Sequence, residues 1–143
     1  MIRGFREEDT EKLVAIWFEA SLQAHGFIGR DYWESRVHDM RTLYLPLSEL
    51  VVHVDDVSGE PTSFMALVDD FLAGLFVAPA HQGRGTGTRL LCLAKKMHPC
   101  LELTVYARNV RARALYERNG FRIVAERLEE ATGERELVMR WGE

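Results

Sequence analysis

Leu75-Phe76-Val77-Ala78-Pro79-Ala80-His81-Gln82-Gly83-Arg84-Gly85-Thr86-Gly87-Thr88-Arg89-Leu90-Leu91 passes from an apolar run, through a proline, into three alternating glycines and out into a second apolar run. The first run reads as the end of a strand that Pro79 stops. After the glycines, Leu90, Leu91, Ala94 and Met97 recur at helical spacing as far as His98-Pro99. The stretch is therefore a strand, a turn and a helix. Glycines allow the turn to curl with its amides inward, and the helix N-terminus adds partial positive charge, so a pyrophosphate fits there. Arg84 and Arg89 can add full charge. An isolated glycine turn of this kind is equally well explained by steric need alone, so its neighbours must decide.

Upstream, Ile2 to Arg6 reads as a short strand, and Asp9 or Thr10 offers a cap for a helix carrying Leu13, Ile16, Trp17, Ala20 and Ala24 on one stripe. The loop His25-Gly26-Phe27-Ile28-Gly29 follows, then a second helical segment from about Asp31 to Tyr44 that Pro46 is expected to close. From Glu49 the period changes to that of strands. LVVHV, TSFMALV and Phe71 to Val77 are separated by turn-forming acids, glycine and proline, and they read as an antiparallel meander.

Downstream, Leu101, Leu103 and Val105 alternate with Glu102, Thr104 and Tyr106 on the two faces of a strand. Asn109 to Arg118 reads as a helix, stopped by Asn119-Gly120 as a left-handed cap. Phe121 to Leu128 and Glu136 to Trp141 read as two closing strands around Ala131-Thr132-Gly133.

The context excludes two common phosphate-binding readings. A Rossmann unit would put its glycine turn after the first strand with an acid about 20 residues on, and a P-loop would need Gly-Lys-Ser/Thr. Here the turn follows the fourth predicted strand, and Gln82, Gly85 and Gly87 resemble the Gln-x-x-Gly-x-Gly of motif A in GNAT N-acetyltransferases. Asn109-Val110-Arg111-Ala112-Arg113-Ala114-Leu115-Tyr116-Glu117-Arg118-Asn119-Gly120-Phe121 is similar to a second signature of that family, Asn-x-x-Ala-x-x-x-Tyr-x-x-x-Gly-Phe. With the order of strands and helices, the resemblance covers almost the whole chain and is nearest to small stand-alone bacterial members.

The resemblance implies an α/β protein of GNAT fold, with a mixed, splayed central sheet of about seven strands and helices on both faces. It implies acetyl-CoA as cosubstrate, with pantetheine against the backbone of Leu75, Phe76 and Val77. The pyrophosphate would lie on the amides of Gln82, Gly83, Arg84, Gly85, Thr86 and Gly87. Asn109 would contact the pantetheine or hold the start of its helix. Tyr116 would stand beside the coenzyme A sulfur as the acid for the departing thiolate, while also packing with Leu115 and Phe121. The reaction implied is direct attack of a positioned primary amine on the thioester.

A lysine-like amine with pKa about 10.4 needs about 4.6 kcal/mol to shed its proton at pH 7, so assistance is expected. The resemblance implies a carboxylate on the fourth strand, where many family members place one, but here Phe71 to Val77 carries no acid. The candidates for the base are therefore His25, Asp69, Asp70, Glu102 or water. The segment around Trp17, Ser21, His25 and Phe27 resembles related small bacterial proteins and favours His25, whose ordinary pKa suits a base. Phe27, in the same loop, is the better candidate to touch the acceptor, whereas the helical spacing of Trp17 and Trp33 suits core packing. Arg108, Arg111 and Arg113 read as a solvated helix start that can also meet the adenosine phosphate.

The bulk properties narrow the function classes. The 143 residues suit one domain over 1–143, and 47% hydrophobic with 28% charged residues is ordinary globular composition. No run approaches the roughly 18 apolar residues of a membrane span, and charges interrupt the N-terminus at once, so no membrane association and a cytoplasmic location are expected. A net charge of -4 argues against a nucleic-acid partner, and with it against a toxin acting on aminoacyl-tRNA. A non-catalytic acyl-CoA sensor is the other alternative, against which Asn109 and Tyr116 speak. Cys92 and Cys100 form neither a disulfide framework nor a zinc spacing, so they are expected as buried thiols and no metal is expected. The acceptor is an amine on a protein, peptide or small molecule, and the protein is a monomer or homodimer.

Overall fold

The computed structural model describes residues 1–142. One seven-stranded mixed sheet organises it, in the order β1-β2-β3-β4-β5-β7-β6. The strands are β1 (Ile2–Gly4), β2 (Glu49–Val54), β3 (Pro61–Val68), β4 (Phe71–Val77), β5 (Cys100–Tyr106), β6 (Arg122–Leu128) and β7 (Arg135–Gly142). The helices are α1 (Thr10–Ala24), α2 (Arg30–Asp39), a short α3 (Leu45–Leu47), α4 (Thr86–Met97) and α5 (Val110–Arg118).

Period-two alternation sends neighbouring residues to opposite cores. From β2 and β3, Leu50, Val52, Val54, Phe64 and Ala66 pack with Leu13, Ile16 and Trp17 of α1 and Trp33 of α2. Val51, Met65 and Leu67 point the other way and pack with Leu90, Leu91 and Ala94 of α4 and with Tyr116 and Phe121. Helices thus cover both faces.

Among the described residues every strand pairing is antiparallel except one. β4 and β5 run parallel and register at a single pair, Phe71 with Glu102, before they separate. On its other side β4 stays paired to β3, where a register shift leaves Ala73 without an opposite residue. Such a bulge bends and twists a strand, which carries β4 away from β5. The expected splay is present.

Three local expectations need correction. Asp9 does not cap α1 through its side chain; its carboxylate takes both Nη atoms of Arg3 (2.8 and 3.0 Å) and the Arg6 amide (2.9 Å). Buried to 3% exposure, it needs that compensation. Pro46 does not close the second helical segment. After α2 the chain widens into a π-helical turn at Met40–Tyr44 and continues into α3, where Pro46 occupies a first-turn position that needs no N–H. The cysteines are not a buried pair either. Cys92 lies on the exposed side of α4, and Cys100 is half-buried with its thiol 3.6 Å from Asp70 Oδ2.

Candidate active site

Where β4 and β5 part, a cleft of about 700 Å³ opens, walled by Ala73 to Val77 on one side and Thr104 to Tyr106 on the other. Over those residues neither strand has a partner in the gap, so their backbone groups on that side remain available to an extended ligand. At Gly74 the space is restricted, because a Cβ would stand 2.4 Å from Phe76 Cε2.

The glycine turn closes one end. Gly83 and Gly85 have φ of 79° and 78°, a left-handed conformation that a side chain resists, and Gly85 is the N-cap of α4. The first helical bond runs from the Arg89 amide to Gly85 O (3.1 Å). The amides of residues 83–87 have no acceptor among the described residues. An uncommitted run of amides at a helix N-terminus suits a pyrophosphate on chemical grounds, so the residues present fit coenzyme A. Gly87 sits further in, where a Cβ would come within 3.2 Å of Leu115 Cδ2.

Gln82 is engaged differently from its glycine neighbours. Its Nε2 donates to Val77 O (3.1 Å) and to Gln23 Oε1 (2.7 Å), while its Oε1 accepts from Arg111 (3.0 Å). It ties β4, α1 and α5 together around the cleft. Arg84 lies 3.3 Å from His81 Nδ1, and exposed Arg111 and Arg108 line the same opening. Arg113 instead donates to Ala107 O (3.0 Å).

Asn109 is the N-cap of α5, its Oδ1 accepting the Ala112 amide at 3.3 Å. Its Nδ2 lies 3.0 Å from His25 Nε2. The imidazole stacks on Trp33 (5.4 Å) and meets Tyr106 edge-on (4.9 Å). Burial pulls the His25 pKa down to about 4, against an opposing pull from the charge of Glu129. His25 Nδ1, Ser21 Oγ and Trp33 Nε1 are buried without a partner among the described residues. Phe27 lies beside the cleft, edge-on to Tyr106 (5.9 Å) with the Arg108 guanidinium 5.2 Å above its ring.

Tyr116 lines the cleft from α5 and is 8% exposed. Its ring packs edge-on against Phe121 at 5.7 Å, so the core role and the site position coexist. Burial pushes its pKa up to about 12, which keeps it protonated at neutral pH.

The structure removes three base candidates from the site. Asp69 is a turn residue with φ 54°, Asp70 is tied to His98 Nδ1 (2.9 Å), and Glu102 lies at the closed end of the splay, 3.7 Å from Arg140. None of them lines the cleft. Among the described residues two other carboxylates do, Glu129 and Glu136. Glu136 is buried and paired with Arg127 Nε at 2.6 Å. Glu129 accepts from the Tyr106 hydroxyl (2.5 Å) and Thr132 Oγ1 (2.9 Å). Burial and that bond raise the Tyr106 pKa well above the ordinary tyrosine value. Alternation along β5 points to Tyr106 as a residue facing away from Leu103 and Val105, but no local pattern marks Glu129, which reaches the site through the turn between β6 and β7.

A splayed β4–β5 pair ending in an amide cradle, with a tyrosine from the following helix in the gap, defines an acyl-CoA-dependent transferase site. Residues 47–123 match the family described as acetyltransferase (GNAT) domain. The chain is 31% identical to the peptidyl-lysine N-acetyltransferase YiaC of Escherichia coli K12 over 142 residues, 99% of this chain and 96% of YiaC. It is 33% identical to the peptidyl-lysine N-acetyltransferase YjaB of Salmonella typhimurium, over 85% of this chain and 83% of that protein. The solution structure of apo YjaB from Escherichia coli superposes with a TM-score of 0.87 at 29% identity, covering 100% of this chain and 98% of the other. The chain belongs to the GNAT acetyltransferase family. It is an acetyl-CoA-dependent N-acetyltransferase whose acceptor is an amine. No helix among the described residues is long and apolar enough to cross a membrane.

Proposed function

We propose that this protein, as one domain over residues 1–143, acetylates the side-chain amine of lysine in a protein or peptide, in the cytoplasm and as a monomer or homodimer. The observation that carries this reading is a single cleft with two chemically distinct ends. One end offers the uncommitted amides of residues 83–87, and the other is lined by Glu129 and by His25, Trp33 and Tyr106. An anion suits the first end, and a cation with an aliphatic stem suits the second. Similarity to YiaC and YjaB over most of the chain supports lysine as the acceptor.

When bound, acetyl-CoA supplies an acetyl group activated as a thioester. The amides of Gly83, Arg84, Gly85, Thr86 and Gly87 would hold its pyrophosphate, while Gln82 braces that turn. Backbone groups of Leu75, Phe76 and Val77 would pair with the pantetheine. Asn109 starts α5 and so aims Tyr116 into the gap. Its hydroxyl would donate to the sulfur as negative charge develops, an interaction that favours the transition state over the ground state. His25 and Phe27 shape the acceptor end. Neither cysteine lines the cleft, which supports direct passage of the acetyl group to the amine.

Incubation with acetyl-CoA and a lysine-containing peptide blocked at its N-terminus should add one acetyl group, and fragmentation should locate it on the lysine Nζ. Acetylation confined to an unblocked N-terminus or to small amines would refute the lysine reading and leave the transferase intact.

A further inference from the structure

Glu129 is held more firmly than a surface glutamate in a turn needs to be. The Glu129 amide donates to Glu134 O (2.8 Å) and the Gly133 amide donates back to Glu129 O (2.8 Å), closing the turn between β6 and β7. Within it Thr132 Oγ1 donates to Glu129 Oε1 (2.9 Å) and accepts the Glu134 amide (3.3 Å). The Tyr106 hydroxyl, arriving from β5, donates to the same Oε1 at 2.5 Å. Oε1 is thereby engaged twice, and Oε2 has no donor among the described residues. A carboxylate fixed by two hydroxyls, half-buried and lining the cleft, keeps its charge directed at whatever enters.

The neighbouring groups leave that charge unneutralised. Glu136 has its own cation in Arg127 (2.6 Å), and Arg108 is drawn to Glu134 (3.3 Å). His25 and Tyr32 feel the Glu129 charge, yet burial keeps the imidazole neutral above about pH 4 and raises the Tyr32 phenol. No basic side chain is bonded to Glu129 among the described residues. The place of that cation is open to the acceptor.

We infer that Glu129 is the residue that binds the acceptor's ammonium and takes its proton. This rests on the lysine reading for the identity of the acceptor, though any cationic amine meets the same chemistry. In the step, one N–H bond of the ammonium breaks and an O–H bond forms on Glu129 Oε2. The nitrogen keeps the electron pair that then forms the bond to the acetyl carbon as the carbon–sulfur bond breaks; the sulfur leaves with that bond's pair, and the second N–H proton of the nitrogen passes to it. Glu129 afterwards returns the proton to solvent. Tyr106 and Thr132 act as positioning residues, holding Oε1 so that Oε2 faces the amine.

The test is Glu129→Gln, which keeps size and hydrogen-bond acceptance but removes charge and basicity. Between about pH 7 and about pH 9.5 His25 stays neutral and the phenols of Tyr32, Tyr106 and Tyr116, all raised by burial, stay protonated, so the profile reports the acceptor amine and its proton acceptor. At about pH 7, kcat/KM for the blocked lysyl peptide should fall about 10²-fold, with KM for acetyl-CoA unchanged. The variant should recover about tenfold per pH unit as the amine becomes neutral, closing on the wild type. Tyr106→Phe should give a smaller loss of the same pH-dependent form. Parallel profiles for Glu129→Gln and wild type would overturn the inference while leaving lysine acetylation standing. If the wild type acetylates only non-lysyl amines and the variant shows the closing profile on them, the lysine reading fails and the role of Glu129 holds. Absence of acetylation on every amine would overturn both.

Discussion

The side-chain amide of Asn109 donates to Nε2 of His25 across 3.0 Å, joining the end of α1 to the start of α5. The direction of that bond follows from the other half of the amide, because Asn109 Oδ1 already accepts the Ala112 N–H. His25 is therefore neutral with its proton on Nδ1, and its lone pair is committed to Asn109. A base with pKa about 4 and no free lone pair cannot assist an amine at neutral pH until that bond opens. The geometry assigns His25 a positioning role. His25→Ala should lower kcat/KM while leaving the shape of its pH profile like that of the wild type. A selective loss at low pH, with recovery as pH rises, would return His25 to the role of base.

The same burial makes His25 a source of acid sensitivity. Its folded pKa of about 4 lies below the unfolded value of about 6.5, so the unfolded chain binds the extra proton between these limits. The stability it protects is fully present above about pH 6.5 and is lost as pH falls, reaching about 3 kcal/mol near pH 4. Asp9, whose pKa is lowered by its bonds to Arg3, loses its contribution only below the ordinary carboxylate range. Denaturant melts at about pH 7 and about pH 5 should thus differ more for the wild type than for His25→Asn. Equal differences would show that the imidazole does not titrate between the two states.

At the glycine turn, Gly85→Val places a β-branched residue at φ 78°, where the backbone resists any side chain. Because Gly85 caps α4 and its neighbours present the uncommitted amides, relief of that strain must reorient them. Acetyl-CoA affinity, read by calorimetry on a variant that still unfolds cooperatively, should fall at least about tenfold. Unchanged affinity would separate the turn from the pyrophosphate.

The fold was legible because its signals are local and periodic. Alternation in β2, β3 and β5, the helical stripe of α1 and the glycine turn each depend on neighbours in sequence. Boundaries failed where packing or backbone exchange intervenes, as where Pro46 falls in a first turn made possible by the π-helical stretch before it. At the site, the glycine turn, Asn109 and Tyr116 stand out in the sequence because their spacing matches a family signature, and the structure brings all three to the cleft. Glu129 does not, since its relation to Tyr106 exists only when β7 inserts between β5 and β6 and brings the turn that precedes it over the cleft. Asp70 and Glu102 looked comparable as carboxylates, yet they sit where β4 and β5 are still paired.

Tyr116 combines a packed ring with a hydroxyl in the cleft, so Tyr116→Phe should preserve the Phe121 contact and fold normally. The loss should fall on kcat, by about 10²-fold, with KM for acetyl-CoA nearly kept. Burial raises the phenol pKa to about 12, which favours a hydrogen bond to the developing thiolate over complete proton release. An unchanged single-turnover rate would leave Tyr116 with packing alone.

Direct transfer from acetyl-CoA to a lysyl amine within one cleft is open to a decisive test by initial rates with both substrates varied. A site that holds both partners together requires a ternary complex, so double-reciprocal lines for the blocked lysyl peptide should intersect, and the protein should carry no acetyl group after incubation with acetyl-CoA alone. Parallel lines together with an acetylated protein would contradict the account, since they would demand a covalent intermediate for which no cleft-lining cysteine exists.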